Sequence, residues 1–190
     1  MHQKHSSKIL ITTSRNPTQI MRTFCNDLAH TIPHTIRINR GKSSLTTLAE
    51  KALEHGAEKI VIADRWKGNL GKIQLFEIND TGLTRYYPLI YVKNVKLRRN
   101  FGQKPSKTTK CLTLQTDFEI PFEAQKLGNA LANFLNIRKK SIEETCAPST
   151  QTAMHISLKT THHIQITFMQ TPQKIEIGPR ITISHLIWKP

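Results

Sequence analysis

The chain repeats its own pattern, and this internal echo limits the possible fold more than any single motif does. From Lys8 it reads KILITT, a β-branched strand, followed by Asn16 as a helix cap and Pro17 at the first helical position, where a missing N–H costs nothing. Ile20, Met21, Phe24 and Leu28 then recur at helical spacing and predict one buried stripe. HTIRI at His34 is a second strand. Ser44 or Ser43 caps a second helix with Leu45, Leu48, Ala49, Ala52 and Leu53 inward, and Gly56 stops it. Strands KIVIAD and KIQLFEI, a turn at NDTG and an extended PLIYVKNVKLR complete the pattern.

From Cys111 it begins again. CLTLQT matches KILITT, and Pro121 opens a helix with Leu127, Leu131, Phe134 and Leu135 inward. HISLK echoes IVIAD, IQITFM echoes IQLFEI, and KIEIGPRITI echoes the stretch around IYVKNVKLR. Nothing matches the His34 strand or the Ser44 helix; IRKKSIEETCAPSTQT reads there as a helix end and a loop. Alternating strands and helices predict an α/β fold of mixed sheet with packed helices. Two tandem, unequal halves, residues 8–98 and 111–190 around a linker at 99–110, are expected in preference to one continuous sheet. Each half is short, so the two are expected to share an interface and act as one unit over residues 1–190.

The net charge is +15, from 28 basic and 13 acidic residues, which points to a polyanion, nucleic acid before membrane. No apolar run reaches the roughly 20 residues needed to cross a bilayer. The start, MHQKHSSKILITTS, has no secretory signal pattern. Three widely spaced cysteines, Cys25, Cys111 and Cys146, predict reduced structural thiols, with neither a disulfide nor a zinc site.

The tip DRWKGNLGK, between two predicted strands, holds more than a turn needs. Trp66 lies between Arg65 and Lys67, with Gly68, Gly71 and Lys72 after it. An aromatic face among cations suits stacking on a base and gripping phosphates; alternatively Trp66 plugs the core while the cations are solvated. From Lys93 to Lys110 run seven cations, among them Lys96, Arg98 and Arg99, with no acid and with Phe101 embedded. A charge run of one sign in a linker favours polyanion contact over a plain solvated face.

Gly41-Lys42-Ser43 resembles the end of a phosphate-binding loop, but the required first glycine is Ile36, which argues against nucleotide hydrolysis. Arg37, Arg40 and Lys42, leading into a helix N-terminus, suit a backbone phosphate as well as a simple cap. None of the nine histidines pairs with cysteine or carboxylate at metal-ligand spacing. Asp27, Asp64, Asp80 and Asp117 are scattered, with no paired-carboxylate or nucleophile pattern. The reading is non-enzymatic, without cofactor or metal.

With TTSRNP, INRGKSSL, DRWKGNLGK and EIGPRITI in view, the chain resembles the Brix-domain proteins, of the short archaeal Imp4-like type. The carriers are Thr13-Ser14-Arg15-Asn16-Pro17, Asn39 to Leu45, and Gly178-Pro179-Arg180, in order along nearly the whole chain. The resemblance implies one Brix domain over residues 1–190, its halves each similar to the anticodon-binding domain of class II aminoacyl-tRNA synthetases. It also implies ribosome biogenesis: binding precursor rRNA and assisting its folding, processing and subunit assembly, with a guide RNA and ribosomal or assembly proteins as further partners. The cytoplasm of an archaeal-type cell is implied, or the nucleolus of a eukaryotic one. Arg180 either contacts RNA or pins the two halves.

The expected RNA-binding set is Arg15, Arg37, Arg40, Lys42, Arg65, Trp66, Lys67, Lys72, Lys96, Arg98, Arg99 and Arg180, with Phe101 as a second stacking ring. The free protein is expected to be a monomer that needs no membrane. The rival reading is a protein-interaction scaffold in a ribonucleoprotein complex with only non-specific RNA affinity. Binding to tRNA is a third, resting on fold analogy alone.

Overall fold

A computed structural model describes residues 8–66, 68–102, 109–117, 119–137, 151–160, 163–171 and 174–189. Strand β1 (Lys8–Thr13) leads into helix α1 (Gln19–Thr31), strand β2 (Thr35–Arg37) and helix α2 (Leu45–Glu54). Strands β3 (Ala57–Trp66), β4 (Asn69–Asn79) and β5 (Gly82–Lys96) follow as a meander, and a 3-10 turn spans Arg98–Phe101. Then come β6 (Cys111–Thr116), α3 (Phe122–Phe134), β7 (Gln151–Thr160), β8 (His163–Gln170), β9 (Ile175–Glu176) and β10 (Arg180–Ile187).

The described strands form one mixed sheet in the order β2-β1-β3-β4-β5-β10-β8-β7-β6, with β9 paired to β8. The expectation of separate halves in place of a continuous sheet is thereby corrected. Antiparallel pairing of β5 with β10, from Arg180↔Lys96 to Ile187↔Leu89, carries the hydrogen bonding straight across. Without it, two apolar strands would each leave a row of N–H and C=O groups unpaired beside the core. β1 is parallel to β3 as β6 is to β7, and antiparallel neighbours follow in both parts. In the stretch IRKKSIEETCAPSTQT, residues 138–150 lie outside the described residues.

Alternation along the strands sorts the core onto two faces. Ile11, Val61, Ile90, Ile156 and Ile181 belong to the core shared with α1 and α3. Leu10, Ile60, Ile62 and Phe76 face the other way, against Leu48 and Ala52 of α2. Helix α1 is capped by Thr18, whose hydroxyl accepts the Met21 N–H at 3.3 Å, and not by Asn16. Only Thr18 stands three residues before the N–H that needs a partner, so Pro17 falls outside the helix. Its buried stripe is Met21, Phe24, Cys25 and Leu28, while Ile20 is exposed. On α2 the cap is Ser44, and Leu45 and Leu53 lie outside the buried stripe. Gly56, at φ +69°, ends that helix as expected.

Helix α3 ties the two parts together. Tyr86 of β5 donates from its hydroxyl to the Ala130 carbonyl at 3.1 Å, and its ring lies 5.2 Å from Phe134. Lys59 of β3 donates to the Phe134 carbonyl at 2.8 Å and to Asn136 Oδ1 at 3.0 Å. A cation on the last carbonyls of a helix offsets the negative end of its dipole.

Cys25 is buried, and burial pushes its thiol up to about 12. Cys111 is disulfide-bonded, which corrects the expectation of reduced thiols throughout. Separation along the chain does not report separation in space, so spacing could not exclude the bond.

At the bend before β10, an added Cβ on Gly178 would lie 2.7 Å from Phe168 Cβ, and Phe168 is fully buried. Gly178→Ala is therefore expected to destabilise the protein by ~1–3 kcal/mol, seen as a lower urea midpoint at unchanged slope. Residues 111–190 expressed alone lose the β5 partner of β10 and the Lys59 and Tyr86 contacts of α3. They are expected to lack a cooperative thermal transition, whereas the whole chain melts in one, as calorimetry of both would show.

Candidate nucleic-acid interface

Parallel pairing of β1 with β2 and with β3 brings the carboxyl ends of all three strands to one edge of the sheet. The segments at that edge are TSRNP, INRGKS and the DRW end of β3. In open α/β sheets this is where ligands bind, because the loops there are free to diverge. The loops are fastened at their roots: Ser14 N–H donates to the Ala63 carbonyl at 2.8 Å, and the Thr12 hydroxyl to the Ile38 carbonyl at 2.9 Å. Helices α1 and α2 begin at this edge, and neither has an acid in its first turn. Their free N–H groups add partial positive charge there.

Among the described residues no ion pair holds Arg15, Arg40, Lys42 or Arg65. Arg40 donates from Nε to the Ser43 carbonyl at 3.3 Å. Its pKa is lowered, first by burial and then by the like charge of Arg15, with Asp64 acting in the opposite direction. Asp64 is already engaged: Lys72 lies 3.0 Å away, Gln74 Nε2 donates at 2.7 Å and the Arg65 N–H at 2.8 Å. Lys42 and Arg65 are exposed. Trp66 is 49 % exposed, its ring 5.5 Å from Tyr91 in a T-shaped contact, so it is no core plug. Gly71 makes room for it, since a Cβ there would lie 2.5 Å from Trp66 Cβ.

A second basic group sits farther along the same edge, where β5 ends and β10 begins. Three strand spacings, roughly 15 Å, separate β3 from β10. Lys96 Nζ lies 4.4 Å from the centre of the Phe101 ring and Arg180 Cζ 5.4 Å from it. Phe101 is thus occupied by the protein's own cations and does not stand out as a stacking surface. Arg180 also forms a bidentate pair with Glu176, with Nε to Oε1 at 2.8 Å. Arg98 is tethered, its backbone N–H donating to Asp27 Oδ2 at 2.9 Å, and Arg99 is exposed.

The predicted residues therefore fall into distinct groups. Arg15, Arg40, Lys42, Arg65 and Trp66 gather at the carboxyl ends of β1 to β3, and Lys96, Arg98, Arg99 and Arg180 at the β5–β10 end. Lys72 serves Asp64. Arg37 is half-buried at the end of β2, its Nε buried without a hydrogen-bond partner among the described residues. Lys67 lies outside the described residues, as do positions 103–108 of the linker. Sequence reasoning missed Asp27 as the anchor of the linker, Tyr91 beside Trp66, and the Tyr91–His185 stack at 4.2 Å. Tyr91, two residues before Lys93 in β5, was the one visible signal.

At the opposite edge β6 and β7 run against β1 and β3; Asp117 and Glu119 follow β6, Glu123 lies in the first turn of α3, and Lys159 stands exposed near the carboxyl end of β7. Asp117 pairs with His155 at 2.8 Å. Among the described residues no cluster of three metal-ligating side chains occurs, and no helix is long and apolar enough to cross a membrane.

No family model matches the chain. Over 98 residues it is 37% identical to a Pyrococcus horikoshii protein named "Probable Brix domain-containing ribosomal biogenesis protein", covering 50% of this chain and 42% of that one. An Aeropyrum pernix protein of the same name is 36% identical over 89 residues, covering 47% and 49%. The matched stretch thus spans less than half the length of these curated relatives. In fold, the chain matches the crystal structure of a "probable ribosomal biogenesis protein" from Aeropyrum pernix K1 with a TM-score of 0.80 at 26% identity, covering 95% of this chain and 99% of that one. It also matches Mil, an archaeal Imp4-like protein, with a TM-score of 0.65 at 19% identity over 95% and 99%, a likeness of fold alone.

Arg180→Ala removes a cation–π contact and the Glu176 pair, so a stability loss of ~1 kcal/mol is expected. Trp66→Ala loses one ring-edge contact, of at most ~1.5 kcal/mol before relaxation. Scanning calorimetry should find both variants folded, each within about 1.5 kcal/mol of the parent.

Proposed function

The chain is a homologue of archaeal Brix-domain ribosomal biogenesis proteins, and from that premise we propose that it is a non-enzymatic ribosome biogenesis factor that binds precursor rRNA and assists its folding, processing and assembly into subunits. The observation that carries this reading is the basic edge at the carboxyl ends of β1 to β3. There Arg15, Arg40, Lys42 and Arg65 meet two acid-free helix N-termini, with Asp64 already engaged. Such an edge holds phosphates and positions the RNA without reading its sequence. Arg98, Arg99 and Lys96 extend the contact along the same edge, with Lys72 and Arg37 in its surroundings; Lys67 is taken as a further phosphate contact on its sequence position alone. The half-exposed Trp66 supplies a face for an unpaired base.

We take residues 8–98 and 111–190 as two copies of one unit joined by a linker at 99–110, each akin to the anticodon-binding domain of class II aminoacyl-tRNA synthetases, within a single Brix domain. The recurring strand succession supports this. A monomer working in the cytoplasm, with a guide RNA and ribosomal or assembly proteins as partners, completes the reading. The acids after β6, Asp117, Glu119 and Glu123, favour a second role as a protein scaffold, since they offer basic ribosomal proteins a complementary charge.

Affinity for an rRNA fragment should fall log-linearly with salt, by about 0.7 log units per log unit of salt for each phosphate neutralised on a single strand. Arg40→Gln with Lys42→Gln should weaken binding to all RNAs alike and lower that slope by about 1.4. Titrations by fluorescence anisotropy across a salt series check this. A flat dependence would leave only the scaffold role.

A further inference from the structure

We propose that Tyr91 and His185, with Trp66, form a base-stacking platform on the open face of the sheet that takes unpaired bases of single-stranded RNA. The proposal rests on the RNA-binding reading above and adds where the bases go. Asp64, Lys72, Tyr91 and His185 stand directly opposite one another on β3, β4, β5 and β10, so their side chains share one face. Ile90 and Val92 point into the core beneath α1 and α3, which puts Tyr91 on the other side. That side is the α2 face, and α2 covers only its far end, at Leu10, Ile60, Ile62 and Phe76. No other described helix lies over it.

On this open face three rings from three different segments form an unbroken run. Trp66 meets Tyr91 edge-on at 5.5 Å, and Tyr91 stacks on His185 at 4.2 Å with the planes 13° apart. His185 is exposed and Trp66 half-exposed, so both ends of the run are open to a ligand. Gly71 is the residue that lets Trp66 lie where it does. Cross-strand ring pairs also stabilise sheets, and the Tyr91–His185 pair does so here. Sheet stabilisation alone does not call for a third, half-exposed indole at a hairpin tip beside unmatched cations.

The surroundings match the charge of RNA. Arg65 is exposed beside Trp66, and Lys93, two residues beyond Tyr91, donates to His163 Nε2 at 2.6 Å and is exposed. The basic edge lies at the end of the same strands, so a chain gripped there by its phosphates can lay its bases onto the rings. A duplex keeps its base faces stacked inside and cannot do this. The platform therefore selects single strands, while the edge accepts any phosphate backbone.

The test uses the full chain with a short single-stranded oligonucleotide and an RNA duplex of the same sequence. Tyr91→Leu and His185→Leu should each weaken single-strand binding by ~10- to 100-fold, the loss expected for one stacked base, and leave duplex binding unchanged. His185→Phe, which keeps a ring, should retain most of the affinity. Folded variants that bind single strands as well as the parent would overturn the platform and leave the basic edge standing. Parent protein that binds neither RNA at low salt would overturn the RNA reading itself, and the platform with it. Ultraviolet crosslinking of the unaltered protein to the oligonucleotide needs no variant to fold. Adducts on the peptides carrying Tyr91 or His185 support the platform, and adducts confined to the basic loops, Trp66 included, overturn it.

Discussion

The antiparallel pairing of β5 with β10 is the interaction on which the rest of this molecule depends. It buries Ile90, Val92, Ile181 and Ile183 in one core and closes two open sheets into one. Paired backbone groups at the seam avoid the cost of leaving donors and acceptors without partners next to apolar surface. Several of the contacts that join the two parts are arranged around it. Arg180 and Lys96, opposite each other at its start, hold Phe101 and so settle the beginning of the linker. Tyr91 and His185, opposite each other farther along, stack ring on ring across it. Tyr86, near the other end of β5, reaches α3.

The electrostatics follow from strand direction. Parallel pairing at the amino-terminal end of the sheet collects three loops and two helix N-termini at one edge, and the cations of those loops accumulate there. The charge of Arg15 disfavours that of Arg40. That repulsion is tolerated at an exposed edge, where water and salt screen it, and a bound phosphate would relieve it. Asp64 is the internal counter-charge, and its three donors leave it little capacity for the arginines. Reversal of direction across the seam places the segment after β6 at the opposite edge, where Asp117 and Glu119 stand in place of the arginines and lysines that follow β1 and β2.

Asp27 shows how the linker is tied down. It is 8 % exposed, and burial raises its pKa, with the Arg98 N–H and the charge of Arg98 pulling the other way. Because the folded pKa lies above 3.8, ionisation of Asp27 costs folding stability. This contribution is absent at low pH and grows as pH rises through the interval from 3.8 to the folded value. The hydrogen bond to the start of the 3-10 turn offsets part of that cost and holds the chain as it leaves β5.

Local signals were legible in the sequence because they are properties of neighbouring residues. The strand runs KILITT, KIVIAD, KIQLFEI and CLTLQT, the serine cap of α2, the glycine after it and the stripe of α3 all depend on spacing alone, and the structure has them. Even the loops carrying Arg15, Arg40, Lys42 and Arg65 were recognisable by composition. Tertiary structure decided what depends on distant residues meeting. It joined the two patterns into one sheet, since edge pairing is a choice among partners that no local period encodes. It bonded Cys111, exposed Ile20, Leu45 and Leu53, and gave Arg180 and Phe101 to the fold. It also set Tyr91 against His185, which are 94 residues apart and share a face only through the register of β5 and β10. Spacing along a chain determines which way each side chain faces within its own element; which faces meet is determined by the pairing of elements far apart in sequence.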